Sequence, residues 1–279
     1  MDVEKFKVKP NEKVKLRDID AGYKAEHQDK ESAQPELTKY ARRLHDLQLL
    51  MYAEHKRSLL IILQGMDAAG KDGTIGHVLA GINPQGCRVY AFKDPSVDEL
   101  AHDYLWRIHQ AMPPKGYITV FNRSHYEDIL VARVHNIVPK EVWSRRYEEI
   151  NDFERHLCNE GTQIVKFYLH IDKAEQLARF KERLDDPNRR WKISESDYVE
   201  RTYWDDYQAA YEETISRCST AYAPWYIIPA NHKWFRNLAI SQILNSTLES
   251  LNMKSPAPTV NIEEIKKKYH KEVEQEKKN

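Results

Sequence analysis

Unbroken apolar runs and amphipathic stretches alternate along the chain. Ser58-Leu59-Leu60-Ile61-Ile62-Leu63-Gln64 is apolar on both faces of an extended segment, as a central parallel strand covered by helices on both sides must be. Four further runs read as strands: residues 87–92 (CRVYAF), 117–121 (YITVF), 163–171 (QIVKFYLHI) and 224–229 (PWYIIP). Helical periodicity fills the intervals. Leu37, Tyr40, Leu44, Leu47 and Met51 mark one face of a helix that the pattern starts at Pro35, where a proline near the first turn loses no hydrogen bond. Further helices are expected over 72–80, 97–111, much of 126–160 with a break near Pro139, 173–184, 197–217 and 234–252. Five strands separated by helices predict a doubly wound α/β fold with a parallel sheet and right-handed crossovers.

This pattern divides the chain into three stretches. Residues 1–33 are polar and weakly periodic, an arm expected to lie on the body. Residues 34–254 form the domain, and 255–279, after Pro256-Ala257-Pro258, make a Lys/Glu-rich tail expected as a short surface helix. The polar stretch 185–197 reads as mobile.

Composition narrows the function. The 279 residues are 41% hydrophobic, ample for one full core. Lys+Arg and Asp+Glu are both 43, so no global field steers the chain toward nucleic acid or anionic lipid. Three scattered cysteines, Cys87, Cys158 and Cys218, fit reduced thiols better than a disulfide framework. The charged N-terminus lacks the apolar core of a signal peptide, and no apolar run is long enough to span a bilayer. These features predict a cytoplasmic protein with no nucleic-acid or membrane partner. The 16 Tyr and 6 Trp read as core and interface residues, and the 12 His show no tight metal spacing.

The chemistry follows the first strand directly. Gly65-Met66-Asp67-Ala68-Ala69-Gly70-Lys71 has the GxxxxGK spacing. Glycines let such a loop curl its N–H groups around phosphate oxygens, and the following helix adds its N-terminal dipole. Lys71 would supply a point charge, with Gly65, Met66, Ala68, Ala69, Gly70, Asp72, Gly73 and Thr74 lining the phosphate site. Two features depart from the common form. Asp72 stands where a metal-binding Ser or Thr is usual, and Asp67 lies inside the loop. A carboxylate among phosphates needs a cation between them, so Asp67 is the first metal candidate.

Two other segments are rich in charge. After the third strand comes Asn122-Arg123-Ser124-His125-Tyr126-Glu127-Asp128. Here an amide replaces the usual strand-end acid, and Glu127 or Asp128 is expected to supply the charge. Arg123 and Arg133 are expected at the carboxyl ends of the strands. Arg179, Arg183, Arg189, Arg190 and Lys192 cluster at a helix end, the place of a charge-neutralising lid.

On these residues the chain resembles the polyphosphate kinase 2 family. The matching segments are GMDAAGKDGT at 65–74, FNRSHYEDILVARV at 121–134, RLDDPNRRWKIS at 183–194 and PWYIIPANHKWFRN at 224–237. The resemblance runs from about residue 36 to 252. It implies a three-layer αβα, thymidylate-kinase-like P-loop fold with a helical lid over about 180–200. It implies transfer of the terminal phosphoryl group of inorganic polyphosphate to nucleotides, with Mg²⁺ (Mn²⁺ able to substitute). Implied partners are AMP, ADP and ATP, guanine nucleotides as further acceptors, and a second copy of the chain in a homodimer or homotetramer. Family roles fall on Asp67, Lys71, Arg123, Arg133, Arg183 and Lys192. Asn122 and Glu127 resemble the class III branch, which phosphorylates both mono- and diphosphates. Two rival readings share the loop: an ATP-dependent kinase for a nucleotide or small metabolite, and a non-catalytic nucleotide-binding module.

Overall fold

The computed structural model describes residues 1–277. Its centre is one five-stranded, all-parallel sheet: β1 (Ser58–Gln64), β2 (Cys87–Ala91), β3 (Ile118–Asn122), β4 (Thr162–His170) and β5 (Trp225–Pro229), in the order β2-β3-β1-β4-β5. β1 is buried along its whole length, as its uninterrupted apolar run requires. β2 is a half-exposed edge. The other edge, β5, is covered by the N-terminal residues: Val8 N–H donates to the Trp225 carbonyl (2.9 Å), and Lys7 bridges antiparallel to Tyr226.

The helices are α1 (Lys30–Glu54), α2 (Lys71–Val78), α3 (Val97–Leu100), α4 (Trp106–Gln110), α5 (Glu127–Val134), α6 (Lys140–Asn159), α7 (Lys173–Asp185), α8 (Glu195–Thr202), α9 (Trp204–Cys218), α10 (Lys233–Ser250) and α11 (Ile262–Glu276). Helices α1, α2 and α10 pack together, as do α5, α6 and α9, and the sheet lies between, giving the expected three layers. The segment between α7 and α8 carries only a short 3-10 turn, Arg190–Lys192.

Three helix boundaries differ from the sequence pattern. α1 begins at Lys30, and Pro35 lies within it. The Asp29 carboxylate accepts from the Ser32 N–H (2.9 Å) and starts the helix one turn earlier. The helix expected over 97–111 is two short pieces, because Asp103 turns its carboxylate onto the Leu105 N–H (3.0 Å) between them. The helix expected over 197–217 breaks at Tyr203, whose ring packs edge-on against His135 (4.9 Å between centroids). Asp205 and Asp206 then open α9, acids at the positive end of the helix dipole. The three cysteines are unpaired among the described residues, and burial pushes their thiols up, to about 12 for Cys218. No described helix is long and apolar enough to cross a membrane.

Candidate active site

Register brings two loops to one crevice. Leu63 of β1 pairs with Asn122 of β3, and the Arg123 N–H donates to the Leu63 carbonyl (3.0 Å). The loops leaving these strands therefore start side by side at the carboxyl edge of the sheet, where ligands bind in folds of this kind. The first loop needs both of its glycines. A Cβ on Gly65 (φ +153°) would lie 2.9 Å from the Leu169 carbonyl. Gly70 (φ +104°) would drive one into the Arg236 guanidinium. Ala68 and Arg123 hold left-handed conformations without being glycine (φ +62° and +63°), strain that the surrounding contacts must offset.

Lys71 opens α2 and folds back over the loop. Its ammonium donates to the carbonyls of Gly65 (2.8 Å) and Met66 (3.3 Å). Burial, then the Arg123 charge, pulls its pKa down to about 8, although Asp67, Glu127 and Asp72 oppose the fall. Arg123 sits between the two loops, 3.0 Å from the Asp67 carboxylate and 3.5 Å from that of Glu127. The Asp67 carbonyl is held by the Gln176 amide (3.0 Å). Thr74 spends its hydroxyl on the Gly70 carbonyl (3.0 Å). Asp72 accepts from the Asn122 amide (2.8 Å) and meets Lys192, in the segment between α7 and α8, at 3.5 Å. Burial alone would raise the Asp72 pKa, but the Asn122 hydrogen bond and the Lys192 charge lower it.

Other sequence candidates lie elsewhere. Asp128, the alternative to Glu127, faces Arg107 (3.9 Å), and burial raises its pKa. Glu127 and Asp128 meet different partners, Arg123 for the first (3.5 Å) and Arg107 for the second. Arg133 is paired with Glu213 of α9 (2.6 Å) and lies over the Trp143 ring (4.8 Å). Arg183 donates to the Lys192 carbonyl (2.9 Å) and faces Asp197 at 3.9 Å, tying the segment between α7 and α8 together. Arg179, read with the lid cations, points inward and donates to the Ala68 (2.9 Å) and Ala69 (2.8 Å) carbonyls beneath the loop.

Sequence reasoning missed several residues that shape the site. Tyr211 donates to Gln64 (3.3 Å), and Gln64 donates to Ser124 (3.2 Å), linking α9, β1 and the second loop. Arg236 lies under the first loop, and among the described residues no carboxylate is paired with it. Its only trace in the sequence is its place in the segment WFRN.

No group of three or more His, Cys, Asp or Glu converges on a point among the described residues. Asp67 and Glu127 flank one guanidinium and leave a two-carboxylate set. That suits a hard divalent cation completed by water and substrate phosphate oxygens.

A glycine-bounded loop ending in a lysine, set between the buried strand β1 and helix α2 of a parallel sheet, is the arrangement of the P-loop phosphotransferases, enzymes of the kinase type. Residues 27–256 match the model of the polyphosphate kinase 2 family, and the chain belongs to that family. It is 50% identical over 264 residues to an AMP/ADP-polyphosphate phosphotransferase of Meiothermus ruber, covering 94% of this chain and 99% of that one. An ADP-polyphosphate phosphotransferase of Rhodopseudomonas palustris is 46% identical over 91% of this chain and 92% of its own. The crystal structure of polyphosphate kinase 2 from Arthrobacter aurescens TC1 superposes with a TM-score of 0.92 at 39% identity, covering 96% of each chain.

Proposed function

We propose that this chain transfers the terminal phosphoryl group of inorganic polyphosphate to AMP and ADP, reversibly. The convergence of Lys71 with the Asp67–Arg123–Glu127 group, in a chain of this family, carries the reading. Names borne by the Meiothermus and Rhodopseudomonas relatives support the substrates.

The acceptor's terminal phosphate is already an oxyanion at neutral pH, so no strong base is required. One of its oxygens attacks the terminal phosphorus of the polyphosphate chain. The bridging P–O bond breaks, and its electron pair stays on the shortened chain. The protein's task is in-line positioning and charge neutralisation. Lys71 and the loop N–H groups hold the phosphate being transferred. Arg123 spans donor and acceptor sides, oriented by Asp67 and Glu127. Lys192 exchanges Asp72 for substrate oxygens as the lid segment closes. Asp67 and Glu127 would hold Mg²⁺, which when bound neutralises charge on the transferred group. Arg133 and Arg183 act in this scheme by holding α5 to α9 and shaping the lid segment.

Polyphosphate as sole phosphoryl donor, with AMP, ADP and GDP in turn, tests the reading. ADP and ATP should form from AMP and ADP. Asp67→Ala and Lys71→Ala should each lose on the order of 10²–10³ in rate. No product without ATP as donor would favour an ATP-dependent kinase, and normal turnover by either variant would overturn the site.

A further inference from the structure

The underside of the phosphate loop holds two guanidinium groups and one carboxylate. Arg179 of α7 and Arg236 of α10 are 4% and 2% exposed. Arg179 is paired with Glu175 (2.7 Å) and also reaches the Ala230 and Asn231 carbonyls. Arg236 meets no carboxylate among the described residues. Its Nε and Nη2 donate to the Asn237 side-chain oxygen (3.1 and 2.9 Å), and Nη1 donates to the Ala69 carbonyl (3.4 Å). Burial, then the charge of Arg179, lowers the Arg236 pKa to about 9. A buried cation without an acid is costly in a finished core. It is useful where an anion is meant to sit close by.

The contacts around Ala69 set the direction of one loop N–H. Both guanidiniums bond the Ala69 carbonyl from below. The peptide from Ala69 to Gly70 is planar and trans, so its C=O and N–H point in opposite directions. Drawing the carbonyl down turns the Gly70 N–H up into the crevice. Arg236 also occupies the space that a Cβ on Gly70 would take, and its Nη2 lies 3.4 Å from where one on Gly73 would stand. Glycine at 70 thus serves the arginine as well as the backbone.

We propose that Arg236, assisted by Arg179, is a positioning residue of the phosphate site. It fixes the Gly70 N–H toward the bound phosphate and sets an uncompensated positive charge behind the loop. Substrate phosphate supplies the counter-charge that Arg236 otherwise lacks. This rests on the reading that phosphate occupies the loop. A purely structural arginine would make the opposite demand: its loss would cost stability and leave anion affinity of the folded protein unchanged.

Calorimetric titration of the full chain with inorganic tripolyphosphate, beside melting in its absence, separates the two. The wild type should bind. Arg236→Met should bind about tenfold more weakly, with the ligand-free melting temperature unchanged to within about 2 °C or raised. Arg236→Lys, which keeps the charge but not the fork, should recover part of the affinity. Should the Met variant not fold, Arg236→Lys decides alone, with binding about threefold weaker than wild type. Wild-type affinity in a folded variant would overturn the proposal. A wild type that fails to bind tripolyphosphate would instead overturn the reading of the loop as a polyphosphate site.

Discussion

Lys71 shows how one side chain is placed under tension by its own site. It has been drawn half out of water and set beside Arg123, and its pKa falls from 10.5 to about 8. Below that value the folded protein carries an ammonium more costly than the same group in the unfolded chain. Between about 8 and 10.5 the unfolded chain binds more protons, so this group's contribution to stability rises with pH. Lys71→Met should therefore melt no lower than wild type at pH 7, while the proposed function requires it to lose its hold on phosphate. On the proposed function, the same fall sets a pH limit on catalysis. In the wild type, kcat/KM for polyphosphate should decline as pH rises through about 8, because that ratio reports the free enzyme. Bound phosphate restores the charge, so kcat should persist to higher pH. A kcat/KM that is flat to pH 10 would contradict this assignment. That Lys71 and Asp67 share one loop was legible in the sequence because they are neighbours along the chain. Arg236 was not, because its partners at 69 and 70 are remote in sequence.

At the scale of elements, the turn from β3 into α5 needs support from beneath, since Arg123 is held at positive φ. A fully buried cluster supplies it. Lys166 of β4 is ion-paired with Glu154 of α6 and donates to the Tyr126 hydroxyl (2.9 Å) and the Cys218 carbonyl (2.7 Å). Glu154 also takes the Tyr126 hydroxyl (2.9 Å) and meets His125 (3.2 Å). Burial alone would push Glu154 up, but Lys166 and His125 hold its pKa below the usual range. Lys166→Met would strand that charge and should cost about 3–5 kcal/mol, read from urea unfolding. Replacing both partners, Lys166→Met with Glu154→Gln, should cost less than the single change. Equal losses would show that the charge of Glu154 is not the issue. The sequence marks Lys166 only as a lysine interrupting an apolar strand. Pairing with a residue 12 positions earlier depends on how α6 lies on the sheet.

The whole molecule includes its first residues as a covering for β5. Phe6, Val8 and Leu16 are buried. Phe6 stands edge-on to Tyr23 and Phe235, while Leu16 N–H bonds Glu212 (2.7 Å) and His170 meets the Ile19 carbonyl (3.0 Å). An uncovered edge strand invites pairing with other chains. Deleting residues 1–24 should remove several kcal/mol, at roughly 1.5–3 kcal/mol per large buried side chain. Melting should fall by on the order of 10 °C, with light scattering rising on heating. Unchanged melting would show the arm to be dispensable. Its weak periodicity hid this role, since a segment that crosses an edge buries residues singly.

The sequence by itself determined the alternation of strands and helices, and with it the layered parallel fold. It also determined the loop at 65–71, because a both-faces-buried strand, two glycines and a lysine act within one short stretch. Only the tertiary structure decided the strand order β2-β3-β1-β4-β5. That order brings Arg123 against Asp67, 56 positions apart. Tertiary structure also decided which acid of the Glu127-Asp128 pair faces the crevice, and that arginines from α7 and α10 meet beneath Ala69. Local periodicity states which face of an element is buried. It carries no information on which other element lies against that face, and the active site is made at those contacts.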